Sequence, residues 1–145
     1  MRNLGQSRLR IGRAHLNGSF YHVTSVTKNR APIFADFHLA RLLILCLRNS
    51  DISLNTETHC FCVMPDHFHW LLKLNGSSLS QAVSRVKSEF SRRTGLKVWQ
   101  DGFHDHGIRS DESLVNVARY IVANPLRGEL VDYIGDYPHW DSVWL

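Results

Sequence analysis

The chain predicts a single domain of the antiparallel α+β class, on three observations. Strand-like and helix-like segments follow one another as strand, helix, hairpin, helix, strand, helix, an order that packs helices against an antiparallel sheet. Two of the strands are separated only by Pro65-Asp66, the length and chemistry of a tight hairpin turn. The second of them, His67-Phe68-His69-Trp70-Leu71-Leu72, puts two histidines on one face and bulky apolar groups on the other, because strand side chains alternate.

Each element has its own signal. Ser19 to Thr27 is rich in β-branched and aromatic residues and reads as the first strand. Asp36 can cap a helix reaching about Arg48, with Phe37, Ala40, Leu43, Ile44 and Leu47 as its buried stripe. Thr56 to Met64 and His67 to Leu74 form the hairpin, and Asn75-Gly76-Ser77 ends it. Ser78 and Gln81 make a capping box for a helix whose apolar stripe is Leu79, Ala82, Val83, Val86 and Phe90, closed by Gly95. Phe103 to Arg109 can add a strand. Ser110-Asp111-Glu112 then starts a last helix, with a capping hydroxyl and two acids at the positive end of its dipole. Leu114, Val117, Ala118 and Ile121 follow at helical spacing. Pro125 cannot continue that helix, so Asn124 is its last residue or just beyond it. Residues 1–18 form a basic N-terminal arm, and residues 130–145, with Tyr133, Tyr137, Trp140 and Trp144, a loop-rich C-terminal cover.

Composition narrows the function class. With 145 residues, 43% of them hydrophobic and 21% charged, the chain is a globular domain with a real core and not a disordered segment. The longest apolar run, Leu42 to Leu47, is far too short to cross a bilayer, and no apolar region follows the N-terminal arginines as in a signal peptide. Three cysteines point to a reducing cytosol. The net charge of +4 favours an anionic partner only weakly. The placement of cations says more: Arg2, Arg8, Arg10 and Arg13 lie in the arm, and Arg85, Lys87, Arg92, Arg93 and Lys97 on and after one helix.

His-x-His spacing by itself is weak, since 9 histidines in 145 residues give about half such a pair by chance. A second pair, His104-Asp105-His106, is present. The first pair gains weight from its context. Residues 67 and 69 sit roughly 6–7 Å apart on one strand face, so both imidazoles can lean onto one divalent ion or phosphate. About fifty residues on, Arg119-Tyr120-Ile121-Val122-Ala123-Asn124-Pro125-Leu126-Arg127 places Tyr120 and Asn124 four apart, on one helical face.

Val63-Met64-Pro65-Asp66-His67-Phe68-His69, together with Tyr120 in Tyr-x-x-x-Asn-Pro-x-Arg, resembles the HUH single-tyrosine transposases. More narrowly it resembles the REP-associated tyrosine transposases, linked to repetitive extragenic palindromes. Trp99 to Arg109 and Tyr21-His22-Val23 match as well, and the matching pieces span most of residues 20 to 140. The resemblance implies a ferredoxin-like fold, the HUH endonuclease fold, and a bacterial, cytoplasmic, nucleoid-associated protein. It implies a metal-dependent endonuclease and strand transferase that acts on single-stranded or REP-type hairpin DNA. Tyr120 would attack the scissile phosphate, remaining linked to the 5′ end and releasing a 3′ hydroxyl.

A phenol with a pKa near 10 is a poor nucleophile, so the phosphate must be made easier to attack. A divalent ion on His67 and His69 would do this, and Asn124 stands at the family's third ligand position. Two imidazoles and an amide oxygen suit magnesium or manganese. His22 and His106 could contact the ion's ligands or the phosphate, whereas Asp66 would point to the opposite face and serve the turn. Arg8, Arg10, Arg13, Arg85, Lys87, Arg92 and Arg93 are the expected contacts to the DNA backbone. Phe20 and Tyr21 either stack on bases or pack in the core. Tyr21, Tyr133 and Tyr137 lack the helix and Asn-Pro context and read as packing residues. Cys60 and Cys62 lack the knuckle spacing of structural zinc. Three alternatives remain open on sequence: a catalytically silent nucleic-acid-binding module, a replication or transfer nickase, and a mobile insertion-sequence transposase. Monomer and homodimer are both open too.

Overall fold

The computed structural model describes residues 19–144. The strands are β1 (Phe20–Val26), β2 (Thr56–Met64), β3 (His67–Leu74), β4 (His104–Ile108) and β5 (Trp140–Ser142). The helices are α1 (Phe37–Ile52), α2 (Leu79–Thr94), α3 (Asp111–Val122) and the four-residue α4 (Asn124–Arg127). One antiparallel sheet runs β4-β1-β3-β2-β5. The β1-α1-β2 and β3-α2-β4 units interleave to give the ferredoxin-like order of its first four strands.

Strand alternation divides the molecule into two layers. Tyr21, Val23, Phe68, Trp70, Leu72 and Leu74 point one way, into a core with Ala40, Leu43 and Leu47 of α1 and Ala82, Val83, Val86 and Phe90 of α2. Cys60, Cys62, Leu71 and Ile108 point the other way and are covered by Leu114, Ala118, Ile121 and Val122 of α3. The first layer is the larger, and Trp70, Tyr21, Phe68 and Phe90 are fully buried in it. Trp70 spends its only donor on Thr58 Oγ1, 2.9 Å away.

The capping box at Ser78 and Gln81 forms as expected, and Gly95 closes α2 in the left-handed conformation. Asp36 caps α1 through Leu39 N, and Ser110 caps α3 through Ser113 N. Three expectations need correction. Helix α1 continues past Arg48 to Ile52, where Asp51 accepts bonds from Thr56 Oγ1 and Thr58 N and ties the helix end to β2. Phe37 is not in the buried stripe but 54% exposed, because as the first helical residue it lies beyond the sheet, against His38 and His139. The C-terminal cover contains a strand: β5 pairs with Cys60, Phe61 and Cys62 of β2, and Tyr137 Oη donates to Val63 O at 2.6 Å.

Candidate active site

The second face of the sheet carries a field of histidines. In register, Thr24 lies opposite His69, Val26 opposite His67, and His22 opposite His106. Because Tyr21, Val23 and Phe68 face the large core, His22, Thr24, His67 and His69 face the α3 layer. His104 and His106 share the parity of buried Ile108 and join them. The ring centroids of His67 and His69 are 5.0 Å apart and nearly perpendicular.

Each of the two rings is held through Nδ1. His67 Nδ1 lies 2.7 Å from Asp66 Oδ1. His69 Nδ1 lies 2.9 Å from His22 Nε2 and 3.2 Å from Thr24 Oγ1. The Asp66 contact corrects the sequence expectation. Asp66 belongs to the two-residue turn, where strand alternation no longer governs direction, and its short side chain reaches the adjacent ring. Burial alone would raise the Asp66 carboxyl, but the bond from His67 and the guanidinium of Arg30, 3.4 Å away, leave its pKa lowered.

Burial pushes His69 down to about 3 and His22 down to about 4, helped by neighbouring positive charge from His22, His67 and Arg127 on His69 and from His106 on His22. Both rings are therefore neutral at pH 7 and share a single proton across the 2.9 Å contact. When His69 is the donor, to His22 or to Thr24, its Nε2 keeps an unprotonated lone pair.

Tyr120 projects from α3 over this field. Its ring centroid is 6.3 Å from those of both His69 and His22, and the residue is 53% exposed. The local chain geometry follows from Pro125. That residue has no N–H for the Ile121 carbonyl, and the Asn124 side-chain amide donates to it instead at 3.1 Å. The amide orientation is set by this bond and leaves Oδ1 uninvolved in it. Pro125 also suits the first turn of a helix, so α4 begins at Asn124 where the sequence suggested only an end. From α4, Arg127 folds back, its guanidinium 3.9 Å above the Tyr120 ring and Nη2 donating to Tyr120 O at 2.6 Å.

Other expected residues stand elsewhere. Arg85, Lys87, Arg92 and Arg93 lie on α2, in the layer behind the sheet from Tyr120. Lys87 Nζ is bound to the carbonyls of Gln100 at 3.1 Å and Gly102 at 2.8 Å, and Arg93 pairs with Glu89 at 2.8 Å. Arg8, Arg10 and Arg13 lie outside the described residues. Tyr21 is fully buried and Tyr137 bonded, as packing residues should be, while Tyr133 is exposed. The thiols of Cys60 and Cys62 are buried, free and pushed by that burial up to about 12. Among the described residues, no three His, Cys, Asp or Glu side chains are grouped to hold a metal ion. The sequence assigns no role to Arg127, although it closes the Tyr-x-x-x-Asn-Pro-x-Arg motif, or to Arg30. A signal for Arg30 exists only in the backbone: Asn29 and Arg30 both have positive φ, 57° and 54°, a costly conformation for non-glycine residues.

Comparison with known proteins adds four findings. The family described as "Transposase IS200 like" matches residues 16–124. A Haemophilus influenzae protein named as a REP-associated tyrosine transposase is 29% identical, with 57% of each chain covered, so this chain spans little more than half of that relative's length. A solved structure of a REP-associated tyrosine transposase bound to a REP hairpin superposes with a TM-score of 0.77 at 23% identity, covering 86% of this chain and 77% of that one. A Deinococcus radiodurans protein described as a transposase superposes with a TM-score of 0.56 at 23% identity, covering 76% of this chain and 93% of that one.

Proposed function

Because the chain belongs to the IS200-like transposase family, we propose that it nicks and rejoins single-stranded DNA at hairpins of the REP type, through a covalent link between Tyr120 and a 5′ phosphate. The observation that carries this reading is the placement of an exposed tyrosine 6.3 Å from His69, on the same sheet face as the His67–His69 pair. The reaction balances simply. A bond forms between Tyr120 Oη and phosphorus, the bond to the 3′ oxygen breaks, the phenolic proton leaves to solvent and the 3′ oxygen takes one up. The phosphodiester's energy is kept in the phosphotyrosine, so a 3′ hydroxyl can later reverse the step.

The residues present fit a divalent metal. Both histidines use Nδ1 for hydrogen bonds and keep Nε2 for an ion, and their partners, Asp66 and His22 with Thr24, are the kind that orient metal-binding imidazoles. His67 and His69 would hold the ion, with Asn124 Oδ1 as third donor, a set suited to magnesium or manganese. When bound, such an ion withdraws charge from a non-bridging phosphate oxygen. The rest is done by the chain: α3 carries the nucleophile, the sheet fixes the imidazoles, and His22 and Thr24 hold the His69 ring at Nδ1, which leaves Nε2 free when His69 is the donor. Tyr120 meets the histidines of its own chain, which favours a site complete in a monomer.

The test is to incubate the protein with labelled hairpin DNA bearing single-stranded flanks, with magnesium, manganese or a chelator, and look for a denaturation-resistant adduct. A metal-dependent adduct that vanishes in Tyr120→Phe, with DNA binding kept, is the expected result. Binding without adduct across several hairpins would instead identify a silent binding module.

A further inference from the structure

We propose that Arg127 is a catalytic residue, binding the scissile phosphate beside Tyr120. The inference rests on the reading of Tyr120 as nucleophile and extends it to a residue for which the sequence suggested no role. Three observations carry it.

The first is position. The Arg127 guanidinium lies 3.9 Å above the Tyr120 ring, whose centroid is 6.3 Å from those of His69 and His22. It therefore borders the space between nucleophile and imidazoles that an attacked phosphate has to enter. The second is pre-organisation. Stacking on the ring and the 2.6 Å bond from Nη2 to Tyr120 O fix the fork in one orientation, so little side-chain entropy is left to lose when an anion binds. The third is unused capacity. A guanidinium has five N–H donors, and the bond to Tyr120 O is the one hydrogen bond it makes among the described residues. Arg127 is exposed, so the other donors are open to a ligand.

A phosphate oxygen is the natural ligand for that fork. Negative charge grows on the non-bridging oxygens as Tyr120 Oη adds and the 3′ oxygen leaves, and a fixed cation there stabilises the transition state more than the bound DNA. The contact with Tyr120 also braces the α3–α4 corner. The experiment must separate the two roles.

Single-turnover adduct formation at saturating hairpin DNA would be measured for wild type, Tyr120→Phe, Arg127→Gln, Arg127→Lys and Arg127→Ala, with DNA affinity and thermal melting in parallel. Arg127→Gln keeps an N–H donor for the Tyr120 carbonyl and removes the charge. The expected rate loss is about 100-fold or more for Gln and Ala, the scale for removing one transition-state donor. Arg127→Lys should fall between, DNA affinity should stay within about threefold, and added ethylguanidinium at non-denaturing concentration should recover part of the Ala rate. Adduct rates within about threefold of wild type in Gln and Ala, while Tyr120→Phe makes none, would overturn the role of Arg127 and leave that of Tyr120 standing. Rate loss matched by lower melting temperature and without chemical rescue would reduce Arg127 to a structural residue. Adduct formation by Tyr120→Phe would remove the reading on which the inference rests.

Discussion

Replacing His22 by phenylalanine should make the fold less sensitive to acid, and the size of the effect follows from the buried histidine pair. His22 titrates at about 4 and His69 at about 3 in the folded protein, both lowered chiefly by burial. In the unfolded chain both titrate near 6.5. Between those limits the unfolded chain binds protons that the folded one refuses, so stability is complete above pH 6.5 and is lost as the pH falls toward 4. Each ring contributes a slope of about 1.4 kcal/mol per pH unit in that window. For His22 alone, the distance from 6.5 to about 4 corresponds to about 3 kcal/mol. Phenylalanine keeps a flat ring beside Tyr120 and His69 but gives up the 2.9 Å bond, at about 1 kcal/mol near neutrality. The variant should therefore start slightly less stable at pH 7.5 and lose about 3 kcal/mol less than wild type on the way to pH 4. Urea unfolding midpoints at half-unit steps, with chelator present to keep metal out of the balance, measure this directly. Parallel wild-type and variant curves would refute the argument, since they would mean that His22 is protonated in the folded protein as readily as in the unfolded one.

Three further outcomes are expected. Asp66→Asn weakens the hold on His67 Nδ1 and should lower manganese affinity by about 10- to 100-fold in calorimetry without changing the sheet. Ser78→Ala removes one side of the capping box on α2 and should cost about 1 kcal/mol in chemical unfolding, with adduct formation unchanged at temperatures where the protein stays folded. Among the cations of α2, Lys87→Met should lower the melting temperature, because that ammonium is bonded to two loop carbonyls. Arg85→Ala and Arg92→Ala should each reduce the salt dependence of DNA binding by about one phosphate contact and leave the adduct rate at saturating DNA untouched.

Much of this architecture is legible in the sequence where local chemistry and tertiary packing agree. The hairpin bounds fall where Pro65-Asp66 puts them, since a turn that short allows one register. The caps of α1, α2 and α3 are chosen by side chains next to them in sequence, and they form. Strand β5 is different: Trp140-Asp141-Ser142 has no strand pattern of its own and is extended because β2 offers an edge to pair with. The contacts of Asp66 and Arg127 are not legible in the sequence for a related reason. Both act from corners, a two-residue turn and the α3–α4 junction, where neither the two-residue nor the 3.6-residue period predicts direction. His22 was recognised as a candidate, but only the sheet register brings it, two strand positions off the direct partner of His69, into contact with that ring.

The unequal layers leave the histidine face the more open one, as the proposed reaction requires. Two long helices bury the other face, where a polar group would need a fixed internal partner. On the histidine face α3 is the long helix that covers the sheet, and it seals the Cys60, Leu71 and Ile108 end through Leu114, Ala118 and Ile121. The His67 end, between Val26 and Met64 on the neighbouring strands, also carries polar and charged neighbours: Asp66 holds the ring, and Tyr120, with Arg127 stacked on it, stands over His69. His69 sits at the boundary, buried enough to stay neutral and close enough to Tyr120 to share a ligand with it. A DNA strand arriving there would meet two imidazoles, a phenol and a fixed guanidinium. The same placement predicts that variants in the large core change stability long before they change the reaction, whereas variants at Tyr120 or Arg127 should do the reverse.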